Sequence, residues 1–308
     1  MKRRTFISSA SLGALALATH PSLAVSPPPK ALKISLAQWS LHREIGKGRT
    51  NPLNFARTAM EKYRIEAIEY VNQFYTEHAT DETFWQEMKR KADDVGVKSL
   101  LIMVDDEGEL GHKNEKKRNR AVENHYKWVH AAKLMDCHSI RVNAFGAKKE
   151  AEFRASLVEG MGRLAGYAAK ENINVIIENH GLYSSNAELI AEIIEEVDMP
   201  NFGSFPDFGN WCMSAKWGST QIQCEEAYDL YEGVSTLLPY AKAVSAKSYN
   251  FEKDGSHPQI DYQRMLQIVK DSSYDGYIGI EYEGSSRSEH EGILATKKLM
   301  EQVWKELA

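Results

Sequence analysis

The stretch 173-INVIIENHG-181 begins as an apolar, β-branched run and ends in a carboxylate, an amide and an imidazole. Such a run is typical of a strand that is buried on both faces. Amphipathic helical patterns flank it at 150–172 and 186–198, and Asn186 is a suitable N-cap for the second helix. The predicted unit is therefore helix, buried strand, helix, with Glu178 at the carboxyl end of the strand.

The same unit recurs along the chain. Eight apolar, β-rich runs alternate with helical patterns over roughly 280 residues, which predicts a single-domain α/β fold, a (β/α)8 TIM barrel, over 32–308. A doubly wound open sheet is the alternative, but a dinucleotide-binding sheet would carry G-x-G-x-x-G after its first strand, and 38-QWSLHREIGKG-48 has none. The predicted strands are 32–38, 66–71, 97–104, 138–143, 173–178, 202–207, 242–247 and 277–282.

Residues 1–24 have the features of a targeting segment. Arg3-Arg4 precedes 5-TFI-7 and a weakly apolar stretch, and 22-SLA-24 is a small-x-small cleavage site. This pattern resembles a twin-arginine export signal, and its apolar stretch is too short to span a bilayer. We expect cleavage after residue 24, a linker at 25–31, a periplasmic or otherwise exported mature protein, and no stable membrane insertion.

The charge and the cysteine content limit the expected partners and the expected disulfides. The 308 residues carry a formal net charge of −5, and the basic run 113-KNEKKRNR-120 opens a helix, where a solvated face is the better interpretation. A nucleic-acid groove needs clustered cations, so nucleic acid is not an expected partner. The three cysteines, Cys137, Cys212 and Cys224, form no C-x-x-C, and we interpret them as free thiols despite the oxidising destination.

Three carboxylates follow three of the predicted strands, at the end of the barrel where active sites lie. They are Glu178, Asp207 and Glu281. Like charges this close cannot all stay ionised, so the three carboxyl groups either share protons or hold a divalent cation. Oxygen ligands suit Mg²⁺ or Mn²⁺. A salt-bridged, structural Glu178 is the alternative.

Other polar and aromatic side chains at the strand ends are candidates for binding a substrate. Arg141 can clamp a substrate oxygen or pair with Glu69, and a lone Lys247 inside the barrel needs a carboxylate partner or a substrate. Trp39 and Trp211 can form a platform for stacking on a sugar, or can simply pack. The predicted substrate-binding residues are Gln38, Trp39, Glu69, Arg141, Asn143, Asn210 and Trp211.

Over about 32–307 the layout resembles the xylose isomerase-like TIM barrels, the superfamily of sugar isomerases and epimerases that also holds endonuclease IV. In its sugar 3-epimerases, a Glu after strand 5, an Asp after strand 6, a His on strand 7 and a Glu after strand 8 hold a metal. Here 175-VIIENHG-181, 205-FPDFGNW-211 and 278-IGIEYEG-284 supply the three carboxylates. Two positions depart from the family pattern. Ser245 stands in place of the strand-7 His, and Asn210 stands where a His often follows the Asp. The metal site therefore lacks one imidazole of the family pattern, and His180, close to Glu178, is the candidate ligand that would replace it.

The resemblance implies an exported sugar isomerase or epimerase that removes a proton next to a carbonyl, on a non-phosphorylated sugar or keto-sugar. Glu178 and Glu281 would act as base and acid, with Lys247 as a third catalytic candidate and Mn²⁺ or Mg²⁺ as the cofactor. One alternative is a 3-keto-sugar lyase or hydratase of the same superfamily. The other is a non-catalytic sugar-binding barrel, suggested by the two missing imidazoles. The expected partner is a small carbohydrate, and homo-oligomers are compatible with the sequence.

Overall fold

The computed structural model describes residues 30–221 and 223–307. The predicted signal at 1–24 and nearly all of the predicted linker lie outside this range. The described chain forms eight parallel strands in one curled sheet, whose spatial order follows the chain, with β1 paired to both β2 and β8. The strands are β1 (Ile34–Ala37), β2 (Ala67–Val71), β3 (Lys98–Val104), β4 (Ser139–Asn143), β5 (Asn174–Glu178), β6 (Phe202–Phe205), β7 (Val244–Ser248) and β8 (Ile278–Tyr282).

The sheet closes between β6 and β7. Parallel bridges join Ser204 to Ala241 and Asp207 to Ser245. The Ser245 N–H donates to the Pro206 carbonyl at 3.0 Å, and the Phe208 N–H donates to the Ser245 carbonyl at 3.0 Å. Strand β6 ends two residues before its predicted end, because Pro206 has no N–H to continue the ladder. The predicted (β/α)8 barrel in a single domain is confirmed.

Helices cover the outside of the sheet. Asn186 caps α6 by accepting a hydrogen bond from the Leu189 N–H at 3.1 Å, as its position before the predicted helix required. Among the described residues, no helix is long and apolar enough to cross a membrane. The helices are α1 (His42–Gly46), α2 (Phe55–Thr58), α3 (Glu82–Asp93), α4 (Glu115–Leu134), α5 (Glu150–Ala168), α6 (Ala187–Val197), α7 (Leu230–Leu237), α8 (Tyr262–Asp271) and α9 (Glu289–Glu306).

The core has two layers. The larger lies between sheet and helices, and the smaller fills the barrel interior. Side chains alternate along each strand, so an interior apolar residue is followed two positions later by a polar one. Ile176 precedes Glu178 in this way, and Phe205 precedes Asp207. The polar strand ends therefore rest on an apolar floor. The interior layer consists of Ala37, Val71, Leu101, Met103, Ile176, Phe205 and Ala243.

Cys212 and Cys224 form a disulfide, and Cys137 is a buried free thiol. The prediction of three free thiols is therefore wrong for two of them. Both lie in the loop between β6 and α7, where Cys212 pairs with Ala227 in an antiparallel bridge and the Met213 N–H donates to the Glu226 carbonyl at 2.8 Å. The loop therefore folds back on itself and brings the two sulfurs together. No cysteine motif in the sequence predicts this pairing.

Candidate metal centre

The three predicted carboxylates meet at the carboxyl ends of their strands. Glu178 ends β5, Asp207 follows β6, and Glu281 lies on β8. All three are buried, and one oxygen from each lies within 4.8 Å of the others. Hydrogen bonds fix their orientations. Asp207 Oδ1 accepts from the Gly209 N–H at 2.8 Å, and Glu178 Oε1 accepts from Asn210 Nδ2 at 3.0 Å.

Two buried cations flank this acidic triad. Arg141 Nε lies 2.8 Å from Glu178 Oε2, and its Nη1 donates to Asp105 Oδ1 at 2.6 Å. Lys247 Nζ donates to Glu281 Oε1 at 2.9 Å and lies 3.3 Å from a carboxylate oxygen of Glu283. Arg141 thus pairs with Glu178 and Asp105, and the predicted pairing with Glu69 does not form.

Carboxyl groups outnumber these cations. Five carboxyl groups surround the two cations, namely Asp105, Glu178, Asp207, Glu281 and Glu283. Burial raises the pKa of Glu178 to about 7, against the attraction of Arg141, and burial raises the pKa of Asp207 well above its usual value. The triad therefore holds protons or a divalent cation.

The donor set fits a hard cation. Buried Glu178 Oε2 has no hydrogen-bond donor, because the nearby Arg141 Nε–H is not aligned with it despite the 2.8 Å separation. That oxygen is free to bind a metal. Ser245 Oγ, on β7, donates to Asp207 Oδ2 and lies 3.2 Å from Glu281 Oε2. A cluster of carboxylate and hydroxyl oxygens suits Mg²⁺ or Mn²⁺ better than Zn²⁺, which favours nitrogen and sulfur.

A cavity of about 390 Å³ opens at the triad. This volume is in the range of small-molecule sites. Its walls combine charged groups with two indole rings, and residues from the loops after β1, β2 and β6 complete them. The lining residues are Trp39, Val71, Gln73, Asp105, Arg141, His180, Asn210, Trp217, Ser219, Lys247, Glu281 and Glu283.

Residues 58–303 match the family described as the xylose isomerase-like TIM barrel. This chain belongs to that family. Comparison with the curated proteins found no match. Among solved structures, the chain is similar to a D-psicose 3-epimerase with D-tagatose from Clostridium cellulolyticum H10, at 12% identity and a TM-score of 0.67, over 89% of this chain and 99% of the other.

Two further structures share the fold. The 3-keto-D-glucoside 4-epimerase YcjR of E. coli is 14% identical, with a TM-score of 0.65, over 88% of this chain and 100% of the other. The IolI protein with a bound zinc atom is 14% identical, with a TM-score of 0.67, over 89% and 99%. At such identities the likeness establishes the barrel fold. The indication of a divalent metal comes from the buried acidic triad of this chain.

His180 lies in the cavity wall of this xylose isomerase-like barrel, outside the group of three ligand atoms. Burial lowers the pKa of His180 to about 3, and Arg141 adds to the effect, so the ring is neutral. Asn143 Nδ2 donates to Asp105 Oδ1 at 2.6 Å, which leaves Asn143 Oδ1 to accept from His180 Nδ1 at 2.7 Å. Nδ1 therefore carries the proton, and Nε2 keeps its lone pair.

Four predicted substrate-binding residues do not line the cavity, and one of them, Asn143, lies instead in the wall of a neighbouring cavity of about 190 Å³. Gln38 is buried and donates from Nε2 to the Tyr75 hydroxyl at 2.6 Å. Trp211 is fully buried and packs against Tyr228 at 5.8 Å, so packing, one of its two predicted roles, is the one observed. Glu69 lies deeper in the barrel, where it accepts from Ser35 Oγ at 2.6 Å. A side chain at Gly279 would collide with the Glu69 carboxyl group.

The structure adds cavity residues that the sequence did not indicate. Glu283 follows β8, accepts a hydrogen bond from Trp39 Nε1 at 2.6 Å and pairs with Lys247. The strand alternation that points Glu281 inward also points Glu283 inward, and this signal could have found it. Trp217 and Ser219 come from the β6–α7 loop, which has no periodic pattern.

Two further histidines, His42 and His257, pack against neighbouring aromatic or backbone groups. His257 is buried, and its Nε2 accepts from the Tyr249 N–H at 3.0 Å. Burial lowers the pKa of His257 to about 4. The His42 ring stacks on Trp39 with centroids 4.6 Å apart and planes 11° from parallel. His42 therefore packs against Trp39, which lines the cavity.

Proposed function

We propose that this protein is a sugar isomerase or epimerase that removes a proton next to the carbonyl of a non-phosphorylated sugar or keto-sugar. The observation that carries the proposal is the convergence of one oxygen each from buried Glu178, Asp207 and Glu281 within 4.8 Å, with Glu281 in the wall of the cavity. We assign Mn²⁺ or Mg²⁺ to these carboxylates, since the available donors are oxygens. When bound, the cation would stabilise negative charge on the substrate's carbonyl and neighbouring hydroxyl oxygens.

The protein's own groups would hold the reacting parts. Glu178 and Glu281 lie on β5 and β8, which are separated by two strands around the barrel, so a sugar bound above the triad has a carboxylate on either side. One would accept the proton and the other would return it. Arg141 and Lys247 orient these two carboxylates through contacts of 2.8 and 2.9 Å. The apolar floor excludes water from below.

A phosphorylated substrate fits less well. Arg141 and Lys247, the two cationic side chains that line the cavity, are already paired with carboxylates. His180 is neutral. The described residues thus leave the cavity without a free positive charge for a phosphate group, and a neutral sugar is the better ligand.

Solvent-deuterium exchange tests the proposal. The manganese-loaded protein in D₂O should exchange the proton next to the carbonyl of D-psicose or of methyl 3-keto-α-D-glucopyranoside, as followed by NMR. Glu281→Gln, which keeps the size of the side chain and removes its basicity, should slow exchange by about 10²-fold. Glu301→Gln on the exposed face of α9 is the matched control and should exchange at the wild-type rate.

The outcomes separate the competing functions. Exchange that survives in both Glu281→Gln and Glu178→Gln contradicts the assignment. Loss or gain of water from the keto-glucoside, seen as a change in product mass, identifies a lyase or hydratase that uses the same acidic proton. Sugar binding without exchange supports a non-catalytic barrel.

We also propose that the protein is exported. The disulfide between Cys212 and Cys224 supports this, because disulfides persist in oxidising compartments. Replacing Arg3 and Arg4 by Lys should leave uncleaved protein in the cytoplasm, as judged by fractionation. Normal processing of that double variant would contradict the twin-arginine assignment.

A further inference from the structure

A second cavity, of about 190 Å³, adjoins the metal centre, and Trp217 lies in the wall of both. We propose that this second cavity is a sugar-binding subsite, and that the substrate is a glycoside with two rings rather than a single sugar. The inference rests on the proposed function, since it places one ring at the triad and the other beside Trp217. The side chains that would form the subsite are those of Asp106, Glu109, Phe145, Lys216 and Trp217.

Trp217 is held in an unusual position. Its φ is 71°, a left-handed conformation that is costly for a bulky residue and persists only where the surroundings enforce it. The neighbouring Lys216 pairs with Gly181, and a side chain at Gly218 would collide with the backbone of Gly181 and Asn210. The loop is therefore packed tightly against the end of β5. Such strain is found at functional sites.

The indole of Trp217 keeps an open surface. The ring meets His180 at 4.9 Å and Phe145 at 5.3 Å, both close to edge-on, and the residue is 36% exposed. These neighbours fix the ring together with Lys216 Nζ, which lies over one face of the indole, and the proposed sugar would stack on the opposite face. The apolar C–H face of a pyranose ring is a suitable ligand for such a surface, because one side of the sugar is apolar while its edge carries hydroxyls.

The polar groups around the indole suit hydroxyls rather than a charged ligand. Lys216 Nζ lies 4.9 Å above the Phe145 ring and 4.8 Å above the Trp217 ring. Exposed carboxylates of Asp106 and Glu109 face the same cavity, so charges of both signs are present. Asp106 Oδ2 accepts from Gln73 Nε2 at 2.8 Å, and Gln73 lines the main cavity. This hydrogen bond links the two cavities.

Trp39 is less suited than Trp217 to stacking on a sugar ring. Its ring stacks on His42 at 4.6 Å and also meets Phe74 at 6.1 Å, and its Nε1–H is donated to Glu283. Trp39 is thus a positioning residue for Glu283. Trp217 is fixed through its backbone instead. The Cys212 N–H donates to the carbonyl of the adjacent Gly218 at 2.9 Å, and the disulfide to Cys224 anchors Cys212 in the same β6–α7 loop.

Calorimetric titration of the mature, manganese-loaded protein with sucrose, trehalose, cellobiose and lactose, and with glucose, fructose and galactose, tests the subsite. At least one disaccharide should bind about tenfold more tightly than its monosaccharides. Trp217→Ala should weaken disaccharide binding by a larger factor than monosaccharide binding and so reduce that advantage, and Trp217→Phe should restore part of it. Leu294→Ala, which removes another exposed apolar side chain on α9, is the matched control and should bind like wild type.

Equal affinity for disaccharides and monosaccharides overturns the proposal, and so does an equal loss for both classes in Trp217→Ala. Binding to none of the sugars overturns it as well. Because calorimetry does not require turnover, a disaccharide preference that depends on Trp217 would stand even if deuterium exchange failed. Failure of the subsite is therefore distinguishable from failure of the proposed reaction.

Discussion

Replacing Glu69 by Gln should make the stability of the barrel less dependent on pH. Glu69 is fully buried, and its only hydrogen-bond contact among the described residues is Ser35 Oγ at 2.6 Å, since Oε2 has no partner. Burial raises the pKa of Glu69 from 4.5 to about 8, and repulsion from Glu281 and Glu178 acts in the same direction. The folded protein therefore carries this side chain as a neutral acid at pH 7.

The sign and size of the effect follow from proton linkage. Between pH 4.5 and about 8 the folded state holds one proton that the unfolded state has released, so the free energy of unfolding falls as pH rises. Each pH unit costs about 1.4 kcal/mol, which gives about 3 kcal/mol at pH 7 and about 5 kcal/mol above pH 8. Glu69→Gln has no proton to lose. The free energy of unfolding of Glu69→Gln minus that of wild type should therefore increase by these amounts as the pH rises from 4.5.

Urea unfolding near pH 5, 7 and 9, with chelator present, measures this difference. The informative quantity is how the free energy of unfolding changes with pH. Glu69→Gln also introduces a buried amide nitrogen without an acceptor, but this costs a similar amount of stability at every pH. Glu301→Gln should show no such trend, since Glu301 is exposed. If the free energies of unfolding of Glu69→Gln and wild type differ by the same amount, within about 1 kcal/mol, at all three pH values, Glu69 is not a neutral acid in the folded protein.

Two other predictions concern buried charge and the thiols. Lys247→Met leaves the buried carboxylate of Glu281 and the half-buried carboxylate of Glu283 without their cation and should destabilise the protein by about 3–5 kcal/mol in urea unfolding, whereas Lys89→Met, in an exposed pair, should cost less than about 1 kcal/mol. A loss for Lys247→Met no larger than that of Lys89→Met would show that its ion pairs contribute little. Thiol titration should detect one group per chain, Cys137, and only after denaturation, because burial raises its pKa. Three reactive thiols would contradict the disulfide between Cys212 and Cys224.

The sequence was most informative where the backbone has a regular period. Buried strands alternating with amphipathic helices predicted the barrel, and the carboxyl ends of the strands located Glu178, Asp207 and Glu281 within one site. Strand alternation also placed Lys247 inside, and the structure supplies the carboxylate partners that a buried lysine needs. These inferences succeed because direction along a strand is fixed by its two-residue period.

Contacts made through loops and long side chains could not be predicted from the period of the strands. The partner of Arg141 depends on its reach across the barrel to Asp105 and Glu178, which residue type alone does not specify. Trp211 and Trp217 lie six positions apart in one irregular loop, yet the first packs under the loop and the second faces the cavity. The antiparallel pairing within that loop decides which indole is buried, and it also forms the disulfide.

The central claim is that Glu178, Asp207 and Glu281 hold one divalent cation. Titration of chelator-stripped mature protein with Mn²⁺, with the free ion followed by electron paramagnetic resonance, tests it most directly. We expect one tightly bound Mn²⁺ per chain in the wild type and its loss in Asp207→Asn, whose side chain keeps its size but not its charge. Absence of binding in the wild type, or equal binding by Asp207→Asn, would contradict it.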